Sequence, residues 1–264
     1  MSNPVKIETF IIERLFLVTK VLVVSDGLGF TDKTELISSG PSGPNSICTL
    51  QEDFPLEVYG DVGFNTPLGP AFCGGKKENY NKQCFIFNSD NEWIPWVDMS
   101  TPRVFAAAIQ TNEHQTMLLG GFGQGVVPLK SSELIELESS LGPMDSLKLP
   151  VTFYRHCILK INATFGLITG GLQDSTSLFS AATWYLDLQS FDTTPGPRMQ
   201  NRRAAHGCAT LHLGSKTYGI VSGGYDDKAL DSTEFIELNE ENPSWIDGKQ
   251  NWTPFKKTQL LQLL

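Results

Sequence analysis

The sequence has little that would attract a polyanion and nothing long enough to cross a bilayer as a helix. Lys and Arg total 20 against 29 Asp and Glu, a formal net charge of −9 over 264 residues, and attraction to nucleic acid or an anionic membrane surface requires the opposite balance. No apolar run reaches the roughly 18 residues that a spanning helix needs, so the chain is expected to be soluble, with neither nucleic acid nor membrane insertion among its partners. Four histidines and five cysteines show no C-x-x-C pair, no H-E-x-x-H and no carboxylates at ligand spacing, the patterns that would call for a metal. No metal or other cofactor is expected. The N-terminal MSNPVKIETFIIERLFLVTKVLVV lacks the uncharged centre of a secretion signal, because Lys6, Glu8, Glu13, Arg14 and Lys20 interrupt it. It reads as folded structure and leaves the compartment open between cytoplasmic and secreted.

Glycine (24) and proline (15) are plentiful without forming a low-complexity tract, a composition of many turns rather than of disorder. Five short apolar runs close on Gly-Gly or a near variant: KVLVVSDG, GPAFCGG, TMLLGGF, FGLITGG and YGIVSGG. The markers are Gly27, Gly74 with Gly75, Gly120 with Gly121, Gly170 with Gly171, and Gly223 with Gly224. From Gly27 through the second glycine of each pair the spacings are 48, 46, 50 and 53 residues. A period of about 50 residues is that of one four-stranded propeller blade.

After each marker and a polar loop comes a segment that alternates apolar and polar residues, as a half-buried strand does. These are KTELISS (33–39), KQCFIF (82–87), SSELIEL (131–137), ATWYLDL (182–188) and STEFIEL (232–238). Another strand precedes the glycines in VFAAAI (104–109), RHCILKI (155–161) and HGCATLHL (206–213), and an outermost one is written in EWIPWVDM (92–99) and DSLKLP (145–150).

The glycine pairs, an aromatic or aliphatic residue followed six or seven positions later by tryptophan (Phe87 to Trp93, Leu238 to Trp245), and the Met-Ser-Thr-Pro-Arg join at 99–103 together resemble the kelch repeat family of β-propellers over roughly residues 20–254. The resemblance implies an all-β, kelch-like β-propeller of about five four-stranded blades in one domain, 1–264, with approximate units 1–54, 55–101, 102–151, 152–201 and 202–264. Two departures stand out: Ser25-Asp26-Gly27 replaces a glycine pair, and the first, third and fourth units lack the tryptophan. Many kelch propellers have six blades, so a six-bladed ring lacking one blade is expected ahead of a closed ring of five. A ring opened in this way exposes an apolar strand face or edge, and the isolated chain is then expected to associate.

Several stretches imitate catalytic motifs. Gly121-Phe122-Gly123 begins a dinucleotide-binding G-x-G-x-x-G, yet Val126 holds the last glycine's place and VVPLKSSELIEL continues as strand, so no helix N-terminus is there to take a phosphate. His156-Cys157 has the composition of base and nucleophile, but neighbours on a strand point to opposite faces. Cys157 and Cys208, at related places in the fourth and fifth units, read as buried thiols. Cys73 and Cys84 flank GGKKENYNKQ on two strands of one hairpin, where opposite positions permit a disulfide. The odd cysteine total argues the other way, and both readings stay open. Asn162-Ala163-Thr164 and Asn251-Trp252-Thr253 match the N-glycosylation acceptor, which matters only in a secreted chain.

Arg103, Arg155, Arg198, Arg202 and Arg203 fall near joins between units. In a propeller such joins meet at one rim, where arginines would bind a carboxylate-rich peptide by forked hydrogen bonds. Arg103, Arg155, Arg202 and Arg203 are the candidate partner-binding residues, set against a plainer reading in which each ties down its own loop. The unit-to-unit loops diverge, from KKENYNKQ to QDSTSLFSA to YDDKALDS. The expected function is therefore a non-enzymatic module that binds a protein or peptide with the loops of one face. The alternative is an extracellular scaffold or recognition protein carrying a disulfide and N-glycans, and an enzyme with a site in the central channel ranks third. No catalytic residue is assigned.

Overall fold

A computed structural model describes residues 20–24, 32–40, 43–138, 144–173 and 178–248, with backbone alone at 20–24, 35–40, 43–49 and 144–148. Among the described residues there is no helix. They form five antiparallel sheets in chain order. The first comprises β1 (Lys20–Val24), β2 (Thr34–Gly40) and β3 (Gly43–Leu50). The second is a four-stranded meander of β4 (Tyr59–Thr66), β5 (Gly69–Lys76), β6 (Gln83–Phe87) and β7 (Trp93–Asp98).

The third sheet contains β8 (Ala107–Asn112) and β9 (Gln115–Leu119), then, beyond a ribbon of β10 (Phe122–Gly123) and β11 (Val127–Pro128), β12 (Ser131–Glu136) and β13 (Met144–Lys148). The fourth repeats this with β14 (Cys157–Lys160), β15 (Phe165–Thr169), a ribbon of β16 (Leu172–Gln173) and β17 (Leu178–Phe179), β18 (Thr183–Asp187) and β19 (Thr193–Pro195). The fifth has β20 (Gly207–Leu213), β21 (Lys216–Ser222), a ribbon of β22 (Tyr225–Asp226) and β23 (Lys228–Ala229), β24 (Thr233–Glu237) and β25 (Ile246–Asp247).

The first strands β4, β8, β14 and β20 lie side by side in succession, and the sheets they begin are packed face to face. Alternation sends one set of side chains forward and the other back. Phe64 and Ile86 of the second sheet meet Leu118 and Ile135 of the third. Ile109 and Leu134 meet Ile168 and Leu186 of the fourth. Leu159 and Leu167 meet Val221, Ile236 and Trp245 of the fifth. On the far face of the fifth sheet, the one a missing unit would uncover, Leu211, Tyr218 and Phe235 form a further buried cluster. Leu213 and Ile220 pack against that cluster, partly buried.

The glycine pairs exist because the next join lies almost on top of them. A Cβ at Gly74, Gly120 or Gly170 would fall 2.4, 2.2 or 2.4 Å from the carbonyl oxygen of Arg103, Phe153 or Arg203. The second glycines, Gly75, Gly121 and Gly171, donate their N–H groups to those same carbonyls at 2.9, 2.7 and 2.8 Å. All six have positive φ, where a side chain would add its own strain. Gly27 lies outside the described residues.

A second repeated device runs through the joins. Phe105 donates its N–H to the Gly60 carbonyl, Arg155 to that of Phe105, and Ala205 to that of Arg155, at 2.7, 3.0 and 2.7 Å. The four residues share positive φ, between 51° and 70°, although only one is glycine. This row of peptide bonds stitches the second to fifth sheets together at the start of their first strands.

Candidate binding face

Joins and ribbons emerge at one end of the sheets, because a join enters the first strand where the second strand leaves. The tight hairpins, such as that at 112–115, lie at the other end. The ribbon end gathers nearly all of the sequence-proposed partner residues, and the structure sorts them.

Arg103 and Arg203, expected at the partner-binding rim, are instead fully buried. Each pairs with a carboxylate of its own sheet, Arg103 with Glu133 at 2.8 Å and Arg203 with Glu234 at 2.7 Å, and all four side chains have 0 % exposure. Glu133 also accepts from the amides of Ser100 and Thr101, and Glu234 from those of Gln200 and Asn201. The guanidinium groups reach the carbonyls of Gly120 and Ser131, or of Gly223 and Ser232. These arginines pin the join to the third strand, and with 0 % exposure neither guanidinium is reachable by a partner. A buried charge stays only when paired and hydrogen-bonded in this way. Glu133 and Glu234 were not singled out from sequence, although they hold matching places in SSELIEL and STEFIEL.

Arg155 is different. Its guanidinium lies 4.1 Å from the centre of the Phe105 ring, half-buried, with no carboxylate partner among the described residues. Tyr59 meets the same ring edge-on at 5.5 Å. Arg202 is exposed and held by Asp226 at 3.1 Å, while Arg198 is exposed near the fourth join. Around them the ribbons present apolar surface that no sequence pattern had marked: Val126, Val127, Leu178 and Tyr225 are 60, 55, 62 and 40 % exposed. The base of that rim is aromatic, with Phe122 against Tyr154 at 4.0 Å and Phe179 against Tyr225 at 5.6 Å. The stretch following Gly121 is one of these ribbons and not a phosphate-binding turn.

The histidines do not converge on a reaction centre. His156 and His206 wedge between sheets beside Gly120 and Gly170. Burial holds the imidazole of each down to about 3, and for His206 the charges of Arg203 and His156 act in the same direction. His206 shares a 2.9 Å hydrogen bond with Thr169. The place of Thr169 in the preceding sheet is taken by Leu119, and both nitrogens of His156 lack a hydrogen-bond partner among the described residues. Among the described residues no three His, Cys, Asp or Glu gather as a metal site would require.

The cysteines are bridged. Cys73 and Cys84 face each other across β5 and β6 with Cα atoms 4.1 Å apart. Cys157 and Cys208 form a second disulfide between the first strands of the fourth and fifth sheets, which corrects their reading as buried thiols. The two lie one position out of step in their strands, so one points forward and the other back into the same gap. Asn162 is exposed at the hairpin end, its Oδ1 accepting from the amides of Thr164 and Phe165. Asn251 lies outside the described residues.

No protein-family model matches the chain, and no curated protein matches it in sequence. Among solved structures it is similar to one titled "Structure of YjhT", with a TM-score of 0.72 and 11 % identity over 92 % of this chain and 83 % of that one. A likeness at that identity concerns the fold alone.

Proposed function

We propose that this chain is a kelch-like β-propeller that binds a protein or peptide segment at the ribbon end of its sheets. The observation that carries this is Arg155, an arginine backed by the Phe105 ring and unpaired with any described carboxylate, at the end where Val126, Val127, Leu178 and Tyr225 are exposed. A guanidinium stacked on an aromatic face offers its free edge to a carboxylate, and the aliphatic rim accepts an apolar side chain beside it. The ligand is thus an acidic, apolar peptide segment. The net charge of −9 works against long-range attraction of such a ligand, so affinity rests on short-range contacts. Panning a random-peptide display library on the full chain and on its Arg155→Gln variant tests this. The native protein enriches peptides that pair Asp or Glu with Leu, Ile or Phe, and the variant loses them. Enrichment unchanged by Arg155→Gln, or none from either protein, overturns the reading.

The two disulfides favour a second reading, an extracellular recognition protein, since such bridges persist in oxidising compartments. Exposed Asn162 would then carry the glycan. A peptide map of unreduced protein from its natural source supports this if both bridges are intact and Asn162 is modified. Four free thiols at these positions overturn it.

A further inference from the structure

One slot recurs where the first strand of a sheet meets that of the next. It is filled by the second residue after the positive-φ position of one sheet, pointing forward, and by the third residue after that position in the next sheet, pointing back. Counted from Gly60 and Phe105, the slot between the second and third sheets holds Val62 and Ala108, both in one apolar cluster. Between the third and fourth sheets the same positions are Ala107, buried, and Ile158, packed against Ile109 and Leu119. Between the fourth and fifth they are Cys157 and Cys208, and the two sulfurs are bonded. Two of these interfaces are therefore closed by apolar side chains that a reductant leaves alone, and the next is closed by a bond that a reductant opens.

That bond adjoins Arg155. The Arg155 N–H donates to the Phe105 carbonyl at 3.0 Å, and the Arg155 carbonyl accepts from the Ala205 N–H at 2.7 Å. Cys157 lies two residues beyond Arg155 and Cys208 three beyond Ala205, so the bridge and the hydrogen bond close one small cycle. Both Arg155 and Ala205 have positive φ, 54° and 51°, a conformation that a residue with a side chain keeps only where its surroundings hold it. Further along the strands the Thr210 hydroxyl donates to the Lys160 carbonyl at 2.9 Å, on the side of the bridge away from Arg155.

The two bridges differ in reach. Cys73 and Cys84 are each 1 % exposed, whereas Cys157 and Cys208 are partly exposed and Gly207, next to Cys208, is exposed. Even a Cβ added at Gly207 would come no nearer than 4.0 Å to a neighbour, the Ser222 carbonyl. Thiol–disulfide exchange requires a thiolate to reach a sulfur, and the bridge between sheets is the one that offers it.

We propose that the bridge between Cys157 and Cys208 is a redox latch on the ribbon-end site: closed, it holds Arg155 in place over the Phe105 ring, and opened by a dithiol it releases that arginine and weakens ligand binding. This rests on the reading of Arg155 as the ligand's partner. A thiolate of the dithiol attacks one cysteine sulfur, and the other cysteine leaves as a thiolate and takes a proton. The dithiol's second sulfur then resolves the mixed disulfide. Two electrons pass to the protein, which gains two thiols, and the dithiol becomes a disulfide. Free sulfurs retreat to van der Waals separation, which a slot packed around a bond accommodates by parting the strands. The tie from Ala205 to Arg155 loosens first.

Graded treatment of the full chain with dithiothreitol, followed by alkylation and a peptide map, tests the order of opening: Cys157 and Cys208 are labelled before Cys73 and Cys84. Amide exchange by NMR tests the coupling. On reduction, or in the double variant Cys157→Ser with Cys208→Ser, protection of the Ala205 N–H falls by about 10-fold while that of Phe105 is kept. A display-selected peptide then binds about 10-fold more weakly, as the competent fraction of Arg155 drops. Cys157→Ala with Cys208→Ile copies the slot between the third and fourth sheets; it retains Ala205 protection and peptide affinity, and dithiothreitol changes neither. Labelling of Cys73 and Cys84 first, Ala205 protection equal in oxidised and reduced chains, or an equal loss of affinity in the Ala and Ile variant each overturn the latch. If the oxidised chain binds no peptide, the reading of the ribbon end fails instead, and the exchange of Ala205 alone decides whether the bridge holds Arg155.

Discussion

The rings of Phe153 and Trp184 meet edge-on, 6.4 Å between centroids, at the place where the third sheet holds Arg103 with Glu133 and the fifth holds Arg203 with Glu234. In the second sheet the corresponding residues, Val58 and Phe85, belong to an apolar cluster with Phe54 and Trp93. One structural task, tying the join to the third strand, is thus done alternately by apolar contact and by a buried ion pair.

This alternation predicts how the pair responds to substitution. Glu133→Ala strands a buried guanidinium and costs about 3–5 kcal/mol. The double replacement Arg103→Phe with Glu133→Trp reproduces the fourth sheet's solution and costs at most about 2 kcal/mol, because a matched apolar pair leaves no charge uncompensated. Urea unfolding of the single and double variants measures both. Equal losses in the single and the double variant would contradict this account.

The buried histidines set an acid limit. Each is neutral when folded, with its pKa near about 3, and titrates near 6.5 when unfolded. The unfolded chain therefore binds more protons between these values, and stability, complete above pH 6.5, falls as the pH drops toward 3. At pH 4.5 the loss is roughly 2–3 kcal/mol per histidine. His156→Phe removes its share of the slope and, having no hydrogen bond to lose, also raises stability at pH 7 by about 1 kcal/mol. Denaturant midpoints for both proteins from pH 7.5 to 4.5 check this, and parallel curves count against it.

The glycine devices separate by their surroundings. At Gly120 the nearest carbonyl is 2.2 Å from a Cβ, whereas at Gly214, also of positive φ, nothing lies within 4 Å. Gly214→Ala costs about 1 kcal/mol from backbone strain alone. Gly120→Ala adds a collision between sheets and costs about 3 kcal/mol or more. Thermal unfolding of the two variants measures the difference.

What the sequence disclosed and what it hid follow from the same physics. Glycine pairs were legible because collision with the next join leaves no other residue there, and strands were legible through alternation. Phe105, Arg155 and Ala205 carry the other repeated backbone feature in side chains that do not announce positive φ. Arg103 and Arg203 looked like binding residues because their carboxylate partners lie 30 and 31 residues away, a distance at which pairing is invisible without the fold. Cys157 and Cys208 escaped pairing because the bridge joins strands of different sheets one position out of step. The ribbon tips, two residues to a strand, are too short to show any periodicity.

The central claim is that a partner docks at the ribbon end around Arg155. Its most direct test is hydrogen exchange of the full chain with and without a peptide selected by display. The account predicts new protection at 104–105, 154–155 and the ribbons around Val126 and Leu178, with none at the hairpins. Protection confined to the opposite end, at 66–69 and 112–115, would contradict it.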